Sequence, residues 1–156
     1  MGILNRIVLS TAPWMPKIVI GRIASVYVAG DKLEDGINLV RKLNKKGFVG
    51  TLDLLGEEVK NRRGITKTTN SYCDLIDGIA NSGVDCNISL KLTAIGLKVD
   101  ESLCWDNLSV ILDKAKMYNT FVRMDMEDSE VTESTIKMCK KAVNYYPNCG
   151  TVLQAY

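Results

Sequence analysis

The chain has 156 residues, of which 46% are hydrophobic and 24% charged, and these proportions are typical of one globular domain. Its 20 basic and 18 acidic residues give a formal net charge of +2, and the basic residues lie in scattered pairs rather than in one stripe. This distribution predicts solvated surfaces and argues against a nucleic-acid partner.

A helical lead-in is predicted over residues 1–46. Near its end, Asp31 and Glu34 have the spacing of a capping box, which marks the start of a helix. The residues that follow place four apolar side chains on one helical face: Leu33, Ile37, Val40 and Leu43. Residues 47–156 then complete a single partial domain with four strands and three intervening helices.

Beyond the lead-in, short segments rich in apolar and β-branched residues alternate with amphipathic segments. Each predicted strand starts roughly thirty to forty residues after the previous one, which is the length of one strand–helix unit. The predicted strands are residues 48–54, 87–92, 121–126 and 151–155. Helices are predicted over residues 66–81, from near Asp100 and from near Thr132.

This alternation predicts an α/β fold with parallel strands joined by right-handed crossovers. It fits either an open doubly wound sheet or a (βα)8 barrel. A barrel of eight units needs about 250 residues. If the fold is a barrel, the chain has room for about half of it.

Polar and apolar side chains alternate along the predicted strands. In the second strand, Ile88 and Leu90 have one parity and Lys91 has the other. If the apolar parity packs against the helices, the opposite face of the sheet collects the polar side chains Asp53, Lys91, Arg123, Asp125 and Gln154. An unpaired buried charge is costly, so these residues must either pair with one another or face a ligand.

Both interpretations stay open from the pattern alone. In the first, Asp125 forms an ion pair with Arg123 or Lys91 that fills a barrel interior. In the second, the polar side chains form a ligand site, because most of them come late in their strands and α/β folds bind ligands at that end of the sheet.

The cysteines and the most apolar early segment indicate where in the cell the protein is expected. The five cysteines are odd in number and are never spaced as CxxC, and the chain has no histidine, so no metal site is predicted. We expect reduced thiols in a cytoplasmic protein. Residues 18–29 are interrupted by Gly21 and Arg22 and are too short to span a bilayer, so no targeting segment is predicted.

Five segments of the chain resemble, in order and spacing, the FAD-dependent proline dehydrogenase family. They are YVAG at 27–30, TLDLLGEEV at 51–59, ISLKLTAIGL at 88–97, VRMDMEDS at 122–129 and GTVLQAY at 150–156. The combination of the last three is more specific than any one of them. The resemblance implies that the chain is the amino-terminal half of such an enzyme and forms about half of a TIM-type (βα)8 barrel.

The resemblance also implies an activity. Members of the family oxidise L-proline to Δ1-pyrroline-5-carboxylate by hydride transfer to noncovalently bound FAD, and the reduced flavin passes electrons to a quinone or another acceptor. By the same resemblance, Lys91 contacts the substrate carboxylate and the flavin, and Asp125 lines the substrate pocket. Gln154 would hydrogen-bond the flavin ring, and Glu57 corresponds to a gate glutamate that pairs with an arginine across the site.

Two departures from the family pattern keep other functions open. Ala94 stands where the family often has glutamine, and the family's later carboxylate clamp has no counterpart in this chain. The protein is then expected to need a carboxy-terminal half or a homo-oligomer, because a half-barrel leaves its last strand edge unpaired.

The alternatives are a catalytically inactive assembly or binding protein and an aldolase-like lyase in which Lys91 forms a Schiff base. A cytoplasmic location is expected, with a peripheral location at the inner membrane as the alternative.

Overall fold

The computed structural model describes residues 28–154. The chain divides into two compact units, residues 1–36 and 37–156, and the first is described only over residues 28–36. Most of the predicted helical lead-in over residues 1–46 therefore lies outside the described residues. The first described helix is α1, Leu33–Asn44.

The start of α1 differs from the predicted capping box. The helix begins at Leu33, and the backbone N–H of Lys32 donates a hydrogen bond of 3.3 Å to Oδ2 of Asp35. The carboxylate that caps the helix is thus Asp35 and not Glu34. The capping prediction was wrong by one residue, because Asp31 lies one position too early to be the N-cap.

Four parallel strands form one sheet in the order β1-β2-β3-β4, and a helix lies between each pair in the chain. The strands are β1 Gly50–Asp53, β2 Cys86–Leu90, β3 Val122–Met124 and β4 Cys149–Thr151. The connecting helices are α2 Arg62–Ser82, α3 Glu101–Met117 and α4 Thr132–Val143, and a short 3-10 helix, Leu92–Ile95, follows β2. The predicted parallel βα repeat is confirmed.

The helix and strand boundaries depend on local hydrogen bonds that the periodicity does not contain. Helix α2 begins four residues before the predicted position, because the Asn61 side chain accepts a hydrogen bond of 2.8 Å from the backbone N–H of Gly64 and caps the helix there. Asp100 caps α3 in the same way through the backbone N–H of Leu103, at 2.9 Å. All four strands are shorter than predicted, and they end before Lys91, Asp125 and Gln154.

Alternate side chains along the strands lie on opposite faces of the sheet and differ in their burial. Ile88, Leu90, Val122 and Met124 are completely buried, and helix residues such as Ile76 and Leu108 are buried in the same core. On the opposite parity, Val49 is 58% exposed, Phe121 39% and Val152 36%. Within residues 37–154, one face of the sheet is therefore packed in the core. The other, which we call the bare face, exposes apolar side chains next to the strand ends, although Ser89 in β2 is buried on it.

The five cysteines are free, and all but Cys73 are buried. Burial raises the pKa of the Cys104 thiol to about 12 and the pKa values of Cys86 and Cys149 to about 11. These thiols are therefore protonated and inert at neutral pH. Among the described residues, no helix has both the length and the apolar composition to cross a membrane.

Gly50 of β1 lies close to Val40 of α1. A Cβ atom added to Gly50 would lie 2.8 Å from both Cγ1 and Cγ2 of Val40, which is closer than van der Waals contact allows. Val40 is 2% exposed, so its side chain cannot move into solvent without leaving the core. The pair sets the distance between the helix and the strand.

We expect Gly50→Ala to lower the free energy of unfolding by about 1–3 kcal/mol, because the new methyl group overpacks the contact. In a chain that already carries Val40→Ala, the same substitution should lower the free energy of unfolding much less, since the branched side chain is gone. Urea unfolding of the four chains of this double-mutant cycle measures the coupling. Equal costs in both backgrounds would show that the Val40 contact is not the cause.

Candidate functional site

Three of the predicted site residues lie together where the first three strands end. Asp53 is the last residue of β1, and Lys91 and Asp125 directly follow β2 and β3. The Nζ atom of Lys91 lies 2.8 Å from Oδ2 of Asp53 and 3.6 Å from Oδ2 of Asp125. We call these three residues the lysine cluster. Each side chain is about a quarter exposed, so the cluster is accessible from solvent.

Asp125 is held by its neighbours on β2 and β3. Ser89 donates a hydrogen bond of 2.5 Å from Oγ to Oδ1 of Asp125, and Nε of Arg123 donates to the same oxygen at 3.3 Å. The backbone N–H of Asp125 donates to the carbonyl oxygen of Leu90 at 2.9 Å. Both ion pairs considered from the sequence, with Arg123 and with Lys91, are thus formed, and yet the Asp125 side chain stays 23% exposed.

Asp53 is held from the helix side by Tyr72, a residue of α2. The Tyr72 hydroxyl donates a hydrogen bond of 3.0 Å to Oδ1 of Asp53, and the tyrosine is completely buried. Burial, and next the negative charge of Asp53, raise the pKa of Tyr72 far above its usual range, so the hydroxyl keeps its proton. The aromatic hydroxyl on a mostly aliphatic stripe was the available signal, because a buried hydroxyl needs a partner.

The charge state of Lys91 follows from its surroundings. Partial burial alone would lower the pKa of Lys91, but the hydrogen bond and charge of Asp53 and the charges of Asp125 and Glu57 together raise it. Lys91 is therefore a cation at neutral pH. Because its pKa is raised by folding, its pairing stabilises the fold fully below its ordinary pKa of about 10.4 and is lost only as the pH rises through the higher folded value.

The two remaining predicted site residues, Gln154 and Glu57, are not members of the lysine cluster. Gln154 comes three positions after the end of β4 and is exposed. Glu57 is exposed on the loop between β1 and α2, and its charge contributes to the raised pKa of Lys91. Ala94 is 1% exposed within the 3-10 helix.

Comparison with known proteins identifies the family. The model of the proline dehydrogenase family matches residues 37–156. Proline dehydrogenase 1 of Bacillus subtilis subsp. natto is 36% identical over 130 residues, which are 83% of this chain and 43% of that protein. Proline dehydrogenase 2 of the same organism is 32% identical over 155 residues, which are 99% of this chain and 49% of that protein. The chain thus spans about half the length of the curated relatives it matches.

The fold is also similar to that of a solved protein, proline utilization A (PutA) from Bdellovibrio bacteriovorus inactivated by N-propargylglycine. The TM-score is 0.81, with 21% identity over 90% of this chain and 18% of that chain. With the four parallel βα strands, this likeness confirms the predicted fold class, about half of a TIM-type barrel. The resemblance of the sequence motifs is confirmed as well, and the chain belongs to the proline dehydrogenase family.

Proposed function

We propose that this chain supplies one half of the active site of an FAD-dependent proline dehydrogenase, which oxidises L-proline to Δ1-pyrroline-5-carboxylate in proline catabolism. The observation that carries the proposal is the position of Lys91, whose Nζ atom lies 2.8 Å from Asp53 and 3.6 Å from Asp125 where parallel strands end. The family match and the activity named for the Bacillus relatives support it.

In this proposal, Lys91 binds the carboxylate of proline. An ammonium group has three donors, and one of them is hydrogen-bonded to Asp53 at 2.8 Å, while Asp125 lies at the looser distance of 3.6 Å. Lys91 therefore keeps donors for an anionic ligand and is oriented by Asp53 as it binds. Asp125, fixed by Ser89 and Arg123, gives the pocket wall a negative charge that suits the ring ammonium of proline.

The residues present fit a flavin. The cation of Lys91, a quarter exposed, complements negative charge on a reduced flavin ring, and the amide of Gln154 can donate to a ring carbonyl without adding charge. We propose that Lys91 and Gln154 hold FAD noncovalently. When bound, FAD accepts the hydride from the carbon beside the nitrogen of proline, and the chain contributes orientation and electrostatics.

We also propose that the functional unit includes a carboxy-terminal half, supplied by a second chain or by further sequence. The bare face and its exposed apolar residues, Val49, Phe121 and Val152, support a partner that would complete the barrel. A homo-oligomer and an inactive assembly protein are the alternatives. A quinone or another acceptor would receive the electrons.

For the location, we propose the cytoplasm, with contact to the inner membrane only through a quinone. Four buried, free cysteines with unreactive thiols support a reducing compartment.

The direct test is flavin binding followed by turnover. The purified chain is mixed with FAD, alone and together with the carboxy-terminal half of a Bacillus relative, and is separated from free flavin by gel filtration. We expect flavin absorption to coelute with the complex and proline to reduce a dye. Lys91→Met should lower this turnover by about 100-fold or more, because a preorganised charge is lost.

Lys137→Met is the matched control for Lys91→Met. Lys137 also pairs with a carboxylate, at 3.1 Å from Oε2 of Glu101, but it is 75% exposed and lies on α4. Its substitution should leave turnover unchanged. If no flavin coelutes with the chain in either mixture, the proposed function is wrong.

Tyr72→Phe tests whether Asp53 is held in place for this chemistry. The substitution keeps the ring and removes the hydrogen bond to Asp53, so we expect the free energy of unfolding to fall by about 1 kcal/mol. Turnover should fall while flavin binding is retained, because Lys91 loses its oriented partner. Tyr145→Phe, at a tyrosine that is 65% exposed, is the control. Unchanged stability and turnover in Tyr72→Phe would contradict this assignment.

The charge of Lys91 also distinguishes the proposal from an aldolase-like lyase. A Schiff-base lysine must be neutral to attack a carbonyl, and burial usually lowers its pKa. The pKa of Lys91 is instead shifted upward, so the lysine keeps its proton at neutral pH. We therefore expect no covalent adduct when the chain is incubated with pyruvate and borohydride at neutral pH, as measured by mass spectrometry. A Lys91 adduct would favour the lyase.

A further inference from the structure

A second charged cluster joins three loops at the carboxyl ends of the strands. Lys98, which follows the 3-10 helix, has its Nζ atom 2.5 Å from Oε1 of Glu58, 3.0 Å from Oδ2 of Asp128 and 3.4 Å from Oε2 of Glu130. Glu58 lies on the loop between β1 and α2, and the other two carboxylates lie between β3 and α4. One cation thus connects segments that follow three neighbouring strands.

Thr93 supports the same loop through its backbone. The backbone N–H of Glu58 donates a hydrogen bond of 3.0 Å to Oγ1 of Thr93. Thr93, which is 1% exposed, is itself fixed by Glu127, to which its hydroxyl donates and its backbone N–H donates at 3.1 Å. Glu58 is therefore held twice, by its side chain and by its backbone.

The backbone of Glu58 requires such support. Its φ angle is 52°, in the left-handed region that residues with side chains rarely adopt. A residue in this region persists only where its surroundings hold it. The contacts from Lys98 and Thr93 provide that constraint on a loop that is otherwise exposed.

Charge repulsion makes Lys98 necessary to the cluster. Three carboxylates converge on its one ammonium group, and without it Glu58, Asp128 and Glu130 would repel one another. The hydrogen bond to Glu58, followed by that to Asp128, raises the pKa of Lys98, and Lys98 lowers the pKa of Asp128 in return. Lys98 and Asp128 are therefore both charged at neutral pH.

We propose that Lys98 and Thr93 are positioning residues that hold the loop of residues 54–61 against the lysine cluster. The loop begins directly after Asp53 of the lysine cluster, and Thr93, which holds it, lies two residues after Lys91. The loop carries Glu57, whose charge also helps to raise the pKa of Lys91. Holding Glu58 thus sets the position of Glu57 beside the candidate site. The consequence for proline rests on the proposed function, whereas the holding of the loop does not.

Hydrogen–deuterium exchange of the wild-type chain and its variants tests the proposal. We expect Lys98→Ala to accelerate exchange in residues 54–61 by about fivefold or more, since the loop then opens locally. Thr93→Val should do the same. Lys98→Arg should restore slow exchange. Lys137→Ala removes the ion pair between Lys137 of α4 and Glu101 of α3, and it should leave the exchange of the loop unchanged.

Salt provides a test that needs no substitution. Because the cluster is at the surface, raising the sodium chloride concentration should accelerate loop exchange in the wild-type chain. It should not accelerate exchange in Lys98→Ala, where salt only screens the repulsion between the carboxylates. Unchanged exchange in Lys98→Ala and in salt would overturn the proposal. An equal acceleration along the whole chain would also overturn it, because Lys98 would then support the fold in general.

The consequence for the site is measured in the complex with the carboxy-terminal half. Lys98→Ala should raise the KM for proline several-fold with a smaller change in kcat, and Lys98→Arg should restore the KM. A KM that does not change while the loop opens would show that the loop is not positioned for substrate. If the wild-type complex has no turnover, the proposed function fails, and the exchange result still decides whether Lys98 holds the loop.

Discussion

The arrangement of the polar end of the sheet depends on the pairing of Lys91. A partly buried ammonium group is stable only when carboxylates compensate its lost hydration, and here Asp53 does so at 2.8 Å. This one requirement connects β1 to β2, and the longer contact to Asp125 extends the connection to β3. Tyr72 connects Asp53 in turn to α2, through its hydroxyl hydrogen bond. The cation that the proposed chemistry needs therefore also holds together the elements that present it.

The division between the two faces of the sheet explains how the site stays open. Packing the apolar parity against the helices uses Ile88, Leu90, Val122 and Met124, all completely buried. The polar parity is left on the bare face, where the lysine cluster remains about a quarter exposed. Burial is thus concentrated on one side, and the other side is available to a ligand and to the partner that we propose.

Hydrophobic periodicity predicted the order of strands and helices, because the helix-facing residues must be apolar in every unit. It placed the strand ends too late, since the alternation of side chains continues through Lys91 and Asp125 after the ladder of backbone hydrogen bonds has ended. The role of Tyr72 was hidden because its ring fits the apolar stripe of α2. The contacts of Lys98 join loop residues that are 30 to 40 positions apart, and no periodic pattern carries such information.

Strands β3 and β4 have only three residues each, and this shortness bears on how the site can vary among relatives. Asp125 lies just past the ladder and is attached to it by one backbone hydrogen bond, to Leu90. A substitution at such a position alters chemistry while the buried residues that determine folding stay untouched. Selection can thus change reactivity at the strand ends of an unchanged sheet, and the stability that it gives up is confined to the ion pairs and hydrogen bonds of the Asp125 side chain.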